Sequence, residues 1–310
     1  LKIEIINFSK KIKKKALELG FDACGIAPVH HLSEEEPHLK NWLKEGMNGE
    51  MSYMSNHFEK RLNPALLVDN ARSVISVLLN YLPSESQKEP KAPIISRYAY
   101  GTDYHYVIKE KLKELLSFIQ NEISHCTGRP FVDSAPVLDR AWAREAGLGW
   151  IGKNSCLISP SLGSWVFIGE LIIDLELEYD NTFTLDRCGN CTRCIDACPT
   201  GAIISEKKID ARKCISYITI ENRDKIPGHF KNKMQNRVFG CDICQEVCPW
   251  NKKATPCSVP EFQPKKEFLE MESEQWRQLD KPTFKRLFKN TALERTSFKG
   301  LRRNIDFLDS

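Results

Sequence analysis

The chain has 310 residues, 41% of them hydrophobic and 28% charged, a composition that excludes a disordered polymer. At about 150 residues per domain it holds roughly two domains. Its 45 Lys and Arg against 41 Asp and Glu leave a net charge of +4, which names no partner by itself, and no stretch reaches the ~18 apolar residues of a membrane span.

In chain order, Ser9 is placed to cap a first helix with an apolar stripe of Ile12, Ala16, Leu17 and Leu19, ended by Gly20. The lysines from Lys10 to Lys15 lie mostly off that stripe, as a solvated face requires, and no apolar segment follows to make them a secretory signal. Residues 21–27 and 73–79 read as strands. Residues 109–119 read as a helix with Leu112, Leu115, Leu116 and Ile119 on one face. Residues 137–146 read as a second helix, and 164–175 as an apolar strand. Strands alternating with helices predict an α/β layered domain over residues 1–180. Residues 181–255 form a Cys-rich, turn-rich module. Residues 256–310 form a helical tail with eight Lys or Arg between Lys281 and Arg303 and one acid, Glu294.

Eight of the twelve cysteines lie between Cys188 and Cys248, which points to metal in a reducing, cytoplasmic compartment rather than to disulfides. Cys188, Cys191, Cys194 and Cys198, followed by Pro199, form the C-x2-C-x2-C-x3-C-P run of bacterial ferredoxins. Three closely spaced thiolates wrap one cubane, and the fourth, past a turn, ligates the other. Cys241, Cys244 and Cys248, followed by Pro249, lack one member of a second run, and Cys214 can supply it. The crossed assignment puts Cys188, Cys191, Cys194 and Cys248 on one [4Fe–4S] cluster. It puts Cys198, Cys214, Cys241 and Cys244 on the other. Two zinc sites are the alternative, but zinc modules use separated C-x2-C knuckles. Cys24, Cys126, Cys156 and Cys257 have no ligand spacing and read as small apolar residues.

Composition and periodicity do not identify where the electrons go. Four segments carry a resemblance: "RYAYGTDYH" (97–105), "FVDSAPVLDRAWAREAGLGWIGKNSCLISPSLGSWVFIGELIID" (131–174), "CISYITIE" (214–221) and "NRVFGCDICQEVCPWN" (236–251). They resemble the epoxyqueuosine reductases, over about residues 10–255 and weakly to 303. The resemblance implies a cobalamin-binding α/β (α+β) domain similar to that of reductive dehalogenases, joined to a ferredoxin-like module with two [4Fe–4S] clusters and a short basic helical tail. It implies reduction of epoxyqueuosine to queuosine at the wobble position of tRNA, an epoxide deoxygenation by two electrons. It implies that Asp133 of "VDSAP" is the proton donor. Read from the residues alone, Asp133 or Ser134 would instead cap the helix that follows Pro136.

The resemblance also implies cobalamin contacts from Arg61, Ser96, Arg97, Asp133, Lys153, Ser155, Leu157, Ile168, Ser216, Cys241 and Asp242. It makes the Cys198/Cys214/Cys241/Cys244 cluster the proximal electron donor. The glycines near these segments and Arg61 also have plain readings, as turns and as a solvated charge. Tyr104, His105 and Tyr106 read as packing at a helix start. A tRNA substrate calls for basic residues, with Arg223, Lys225, Lys231, Lys233 and Arg237 as one set and Lys285, Arg286, Lys289, Arg302 and Arg303 as a second. The expected partners are tRNA and a low-potential donor such as flavodoxin or ferredoxin, with the chain a monomer and no membrane involved. Two other readings compete: a dehalogenase relative acting on a small molecule, against which "VDSAP" stands, and a plain iron–sulfur electron carrier.

Overall fold

The computed structural model describes residues 2–309. Its first part contains α1 (Lys2–Glu18), β1 (Ala23–Pro28), α2 (Glu35–Lys44), α3 (Phe58–Leu62), β2 (Ser73–Asn80), β3 (Ile94–Ile95), α4 (Tyr104–Glu122), β4 (Gly128–Phe131), α5 (Asp139–Glu145), β5 (Trp150–Ile151), β6 (Leu157–Ile158) and β7 (Val166–Ile173). The cysteine module contains α6 (Arg193–Asp196), β8 (Ile203–Ser205), β9 (Lys208–Ile209), α7 (Ile215–Ile220), β10 (Arg237–Phe239) and α8 (Ile243–Glu246). The tail contains α9 (Lys266–Leu269), α10 (Ser273–Arg277), α11 (Lys281–Phe288) and α12 (Ser297–Asp309).

The main sheet has the order β1-β2-β7-β4, antiparallel at every pairing. All eight residues of β2 are buried, because both faces of the sheet are covered. Side chains alternate along a strand, so Ile75, Val77, Leu79, Leu171 and Ile173 meet α1 and α4 through Ile12, Ala16, Ile108, Leu112, Leu115 and Ile119. Val74, Ile172 and Phe131 face the other way and meet Ala141 and Trp142 of α5. Gly25 on β1 is where α5 ends against the sheet: a Cβ there would lie 2.0 Å from the Ala146 carbonyl oxygen.

Element boundaries depart from the sequence reading where capping decides them. Ser9 is no cap; it sits inside α1, donates to the Ile5 carbonyl at 3.0 Å and accepts from the Glu178 amide at 2.8 Å. α4 starts at Tyr104, five residues before the apolar stripe suggests, because the Asp103 side chain accepts from the His105 amide at 3.0 Å. α5 starts at Asp139 rather than at residue 137, since Leu138, at φ −94° and ψ 74°, is not helical and makes no side-chain cap.

The tail shares a core with the rest of the chain. Phe268, Trp276, Phe288, Leu293, Leu301 and Ile305 pack with Ile95, Ala99, Tyr100, Val238 and Phe239. Parallel pairing of β3 with β10 adds a second join between the first part and the cysteine module.

Candidate active site

Among the described residues, six of the eight thiols of the cysteine module, all but Cys191 and Cys244, have N–H donors pointing at sulfur, those of Cys194 being the backbone amides of Cys194 and Ile195. The Ala202 amide donates to Cys198 Sγ at 3.3 Å and the Trp150 indole to Cys188 Sγ at 3.5 Å. Backbone amides of Tyr217 and Ser216 reach Cys214, that of Ile243 reaches Cys241, and those of Trp250 and Asn251 reach Cys248. Donors of this kind hold a sulfur ligand in its anionic form. Burial still raises most of these thiols, Cys194 to about 11 and Cys241 to about 12, with the amides opposing the rise, and only Cys198 is lowered; Cys24 and Cys126 reach about 12 and about 11 with no hydrogen-bond donor at all. Cys188 and Cys248 share one apolar cluster with Trp150 and Trp250. Cys214 and Cys241 share another with Trp42, Met51 and Tyr217. Electrostatic neighbours follow the same grouping: Cys194 feels the charges of Cys188 and Cys248, Cys214 that of Cys198, and Cys244 those of Cys214 and Cys241. Cys156, read from sequence as an apolar filler, touches Cys244 with its thiol.

A cavity of about 1850 Å³ opens beside this module. Small-molecule pockets run to about 1,000 Å³, so this one has room for a large cofactor together with part of a substrate. Trp42, Met51, Trp150 and Phe183 line it, and each packs against the cysteine clusters or lies next to them. Asp133 projects from the loop after β4 with φ at +43°, and Ser155 has φ at +60°. Both line the cavity in a backbone region that non-glycine residues seldom adopt, and such outliers gather at functional sites. Asp133 is no helix cap, because five residues separate it from α5.

Asp133 does not stand alone. The Tyr104 hydroxyl donates a short hydrogen bond to Asp133 Oδ2, and His105 Nε2 lies 3.7 Å from the same oxygen. On its far side His105 Nδ1 is 2.7 Å from Asp103 Oδ1. Burial opposes a charge on His105, but the hydrogen bond and charge of Asp103, with the charge of Asp133, outweigh it and leave the imidazole holding its proton more tightly than usual. Burial and the Asp133 charge push the Tyr104 phenol well above its ordinary value, so it keeps its proton and acts as a donor. The Tyr104 ring is fixed by stacking on Phe167 at 4.2 Å. Helix-start packing is therefore too small a role for Tyr104 and His105, while Tyr106 is 62% exposed.

The expected cofactor contacts fall into five places. Arg61, Asp133 and Ser155 line the cavity, with Arg61 donating to the Tyr53 carbonyl at 2.7 Å. Ser96 and the Arg97 amide both donate to the buried Asp242 carboxylate, and the Arg97 guanidinium lies 5.1 Å over the Trp165 ring. Leu157 and Ile168 join an apolar cluster with Leu78 and Ala143. Lys153 is buried and its ammonium is 2.7 Å from Glu206. Ser216 lies in the first turn of α7, and its carbonyl accepts from Thr219 at 3.1 Å.

Among the basic residues, Arg237 needs correcting. It is 7% exposed and its guanidinium is 3.1 Å from Glu246, so it offers no free charge to a phosphate. Arg286 is held by Glu267, Arg302 by Asp306, and Arg303 by the carbonyls of Asn222, Asp224 and Ile218. Arg223, Lys225, Lys231, Lys233, Lys285 and Lys289 are exposed. Two residues that the sequence reading missed also line the cavity: Tyr53, and Arg295 from the tail. Arg295 lies 5.8 Å over the Tyr53 ring and 2.6 Å from Glu221.

Eight thiols, seven of them in ferredoxin runs, in a module beside a large cavity that presents a carboxyl group define an iron–sulfur oxidoreductase. Residues 187–251 match the 4Fe-4S double cluster binding domain, and residues 61–134 match the family described as Epoxyqueuosine reductase QueG, DUF1730. An epoxyqueuosine reductase of Cellulophaga algicola is 54% identical over 97% of this chain and 97% of its own length. A crystal structure of epoxyqueuosine reductase with an epoxyqueuosine-modified tRNA-Tyr stem loop aligns at a TM-score of 0.90 and 30% identity, covering 97% of this chain and 80% of that one. The Bacillus subtilis enzyme, seen with its catalytic aspartate loop swung out of the active site, aligns at 0.89 and 30% identity over 97% of this chain and 81% of its own. The chain belongs to the epoxyqueuosine reductase family. Among the described residues no helix is long and apolar enough to cross a membrane.

The grouping of thiols predicts the result of removing one. Cys214→Ala lowers the iron content of the reconstituted protein from about eight toward about four per chain, whereas Cys24→Ala leaves about eight. Iron analysis with EPR of the reduced protein reads both.

Proposed function

We propose that this chain reduces epoxyqueuosine in tRNA by taking electrons in through its two clusters and protons through Asp133, with cobalamin seated in the cavity between them. The observation that carries the reading is one shared wall. Trp42 and Met51, which pack on the same apolar cluster as Cys214 and Cys241, line the same cavity as Asp133. In the balanced reaction two electrons and two protons enter, both carbon–oxygen bonds of the epoxide break, an alkene forms and the oxygen leaves as water. Cobalamin, when bound, supplies a low-potential metal centre at which a carbon–oxygen bond can be broken reductively. Arg61 and Ser155 on the cavity wall would hold it, with the backbone at Ser155 brought close by its left-handed conformation. Its remaining expected contacts, at Ser96, Arg97, Lys153, Leu157, Ile168, Ser216, Cys241 and Asp242, are not among the residues that line the cavity.

The chain's own part is the proton. Tyr104 and His105 both address Asp133 Oδ2, which leaves Oδ1 to carry the proton toward the cavity. After donation, His105 holds the nearest replacement, steadied by Asp103. The Bacillus subtilis relative shows the corresponding loop in a second position, and an exposed, strained loop suits Asp133 to approach and leave a bulky substrate. A wobble base must leave its stack to enter such a cavity, and Tyr53 offers it an aromatic surface. The exposed Arg223, Lys225, Lys231 and Lys233 suit the phosphates of the stem loop. The electron donor is a small low-potential protein of the flavodoxin or ferredoxin class, and the chain acts as a monomer.

Asp133→Asn tests the assignment. It keeps both clusters and binds cobalamin as the parent does, but turnover of epoxyqueuosine tRNA falls on the order of 100-fold or more. Turnover near that of the parent removes Asp133 as the donor. A pH profile tests the supply of the second proton. His105 has a raised pKa, so its charge is complete below about 6.5 and is lost as pH rises through the raised value. Turnover of the parent declines across that interval, and His105→Gln is slower at low pH and lacks the decline.

A further inference from the structure

Glu170 is a carboxyl group in the middle of the central strand, with no exposure to solvent. Its side chain points to the α5 face of the sheet, where Asp139, the first residue of that helix, meets it. Among the described residues no N–H or O–H donor reaches Asp139 Oδ1 or either oxygen of Glu170. The Ser76 hydroxyl, directly opposite on β2, is also without a partner. Two ionised carboxylates have acceptors only and cannot bond to each other. Nor do two adjacent negative charges persist in a buried site. One proton between them satisfies both conditions.

The pair also sits at both ends of the Asp133 loop. Glu170 is in register with Phe131, the last residue of β4, and residues 132–138 run from there to Asp139. We infer that Asp139 and Glu170 hold one proton between their carboxyl groups, and that this shared proton ties the two ends of the Asp133 loop to β7, making the pair positioning residues for the proton donor. The inference rests on the role given to Asp133 above, but its test does not use turnover.

The charged groups facing the pair are Asp133 and Arg140 from its own segment and Arg61 from α3. Burial pushes Asp139 up to about 6, a shift that the Asp133 charge supports and Arg140 opposes. Burial pushes Glu170 well above the usual carboxylate range, and the charges of Asp139 and Asp133 add to it. The sign follows. Both groups favour the protonated form in the fold, so the tie is complete at low pH. It is lost as pH rises through the titration of the pair, when a second negative charge would have to form beside the first.

Two measurements on the full chain test this. In infrared difference spectra at pH 8, where a free glutamate of pKa about 4.3 is ionised, the parent retains a carboxylic-acid C=O band that Glu170→Gln lacks. Hydrogen exchange of residues 132–138, corrected for the intrinsic rate at each pH, rises in the parent as pH climbs through the titration. In Glu170→Gln, whose amide donates to Asp139 at every pH, it stays flat. Glu170→Leu leaves Asp139 unpaired and raises the exchange about tenfold at all pH values. Should that variant not fold, the comparison of parent with Glu170→Gln decides alone. A C=O band undiminished in Glu170→Gln, or corrected exchange of the loop that follows the same course in parent and Gln variant, overturns the inference. Loss of turnover in Asp133→Asn has no bearing on either readout, so the two claims fail separately.

Discussion

A buried carboxylate joins the two halves of this molecule. Asp242 lies between two cluster cysteines, Cys241 and Cys244, and accepts hydrogen bonds from the Ser96 hydroxyl and the Arg97 amide of the first part of the chain. Burial of this 6%-exposed group raises its pKa, and the Ser96 and Arg97 hydrogen bonds, with the Arg97 charge, oppose that rise, so the joint resists being pulled open. The β3–β10 pairing and the tail helices repeat the connection in apolar terms, with Ile95 and Ala99 packed among Phe239, Phe268 and Trp276. Electron transfer into a site depends on fixed separations, and a rigid joint between cluster module and cavity supplies them. Removing Asp242 would leave Ser96 and the Arg97 amide without their acceptor and let the module shift against the cavity.

With that frame fixed, the cavity has two unlike walls. One is aromatic and sulfur-rich, formed by Trp42, Met51, Trp150 and Phe183 against the cysteine clusters. The other is built from the loop after β4 and from α5, and carries Asp133, which Tyr104 and His105 of α4 contact. Under the proposed function, electrons and protons would come to the substrate from different elements, and a reductive opening of an epoxide needs both in a fixed ratio. The positive φ of Asp133 is a local strain in the loop that presents its carboxyl group to the cavity.

A two-cluster module over residues 187–251 was legible in the sequence, because its cysteine runs are marked by short local spacing and turn chemistry. The strands at 73–79 and 164–175 were legible to within two residues, since β-branched alternation needs no tertiary information. The role proposed for Asp133 comes through the family resemblance, and its local reading as a helix cap was wrong because the helix starts only at Asp139. Tyr104 and His105 read as packing because their meeting with Asp133, 28 or more positions away, is made by α4 lying over β4 and β7. Arg237 read as a surface charge because a count of basic residues does not reveal that Glu246 lies beside it. Glu170 gave one hint, a lone acid in the apolar run 165–173, and Arg295 gave none, since only the folding of the tail brings it to the cavity.

The central claim is that electrons entering at the cysteine module reach cobalamin bound in this cavity. Anaerobic titration of the reconstituted full chain with cobalamin, followed by visible absorption and EPR, tests it most directly. The account predicts saturable binding near one per chain and reduction of cobalt that requires both clusters. Two intact clusters without binding, or binding without cluster-dependent reduction, would contradict it and leave the chain as an electron carrier or as a reductase of another kind.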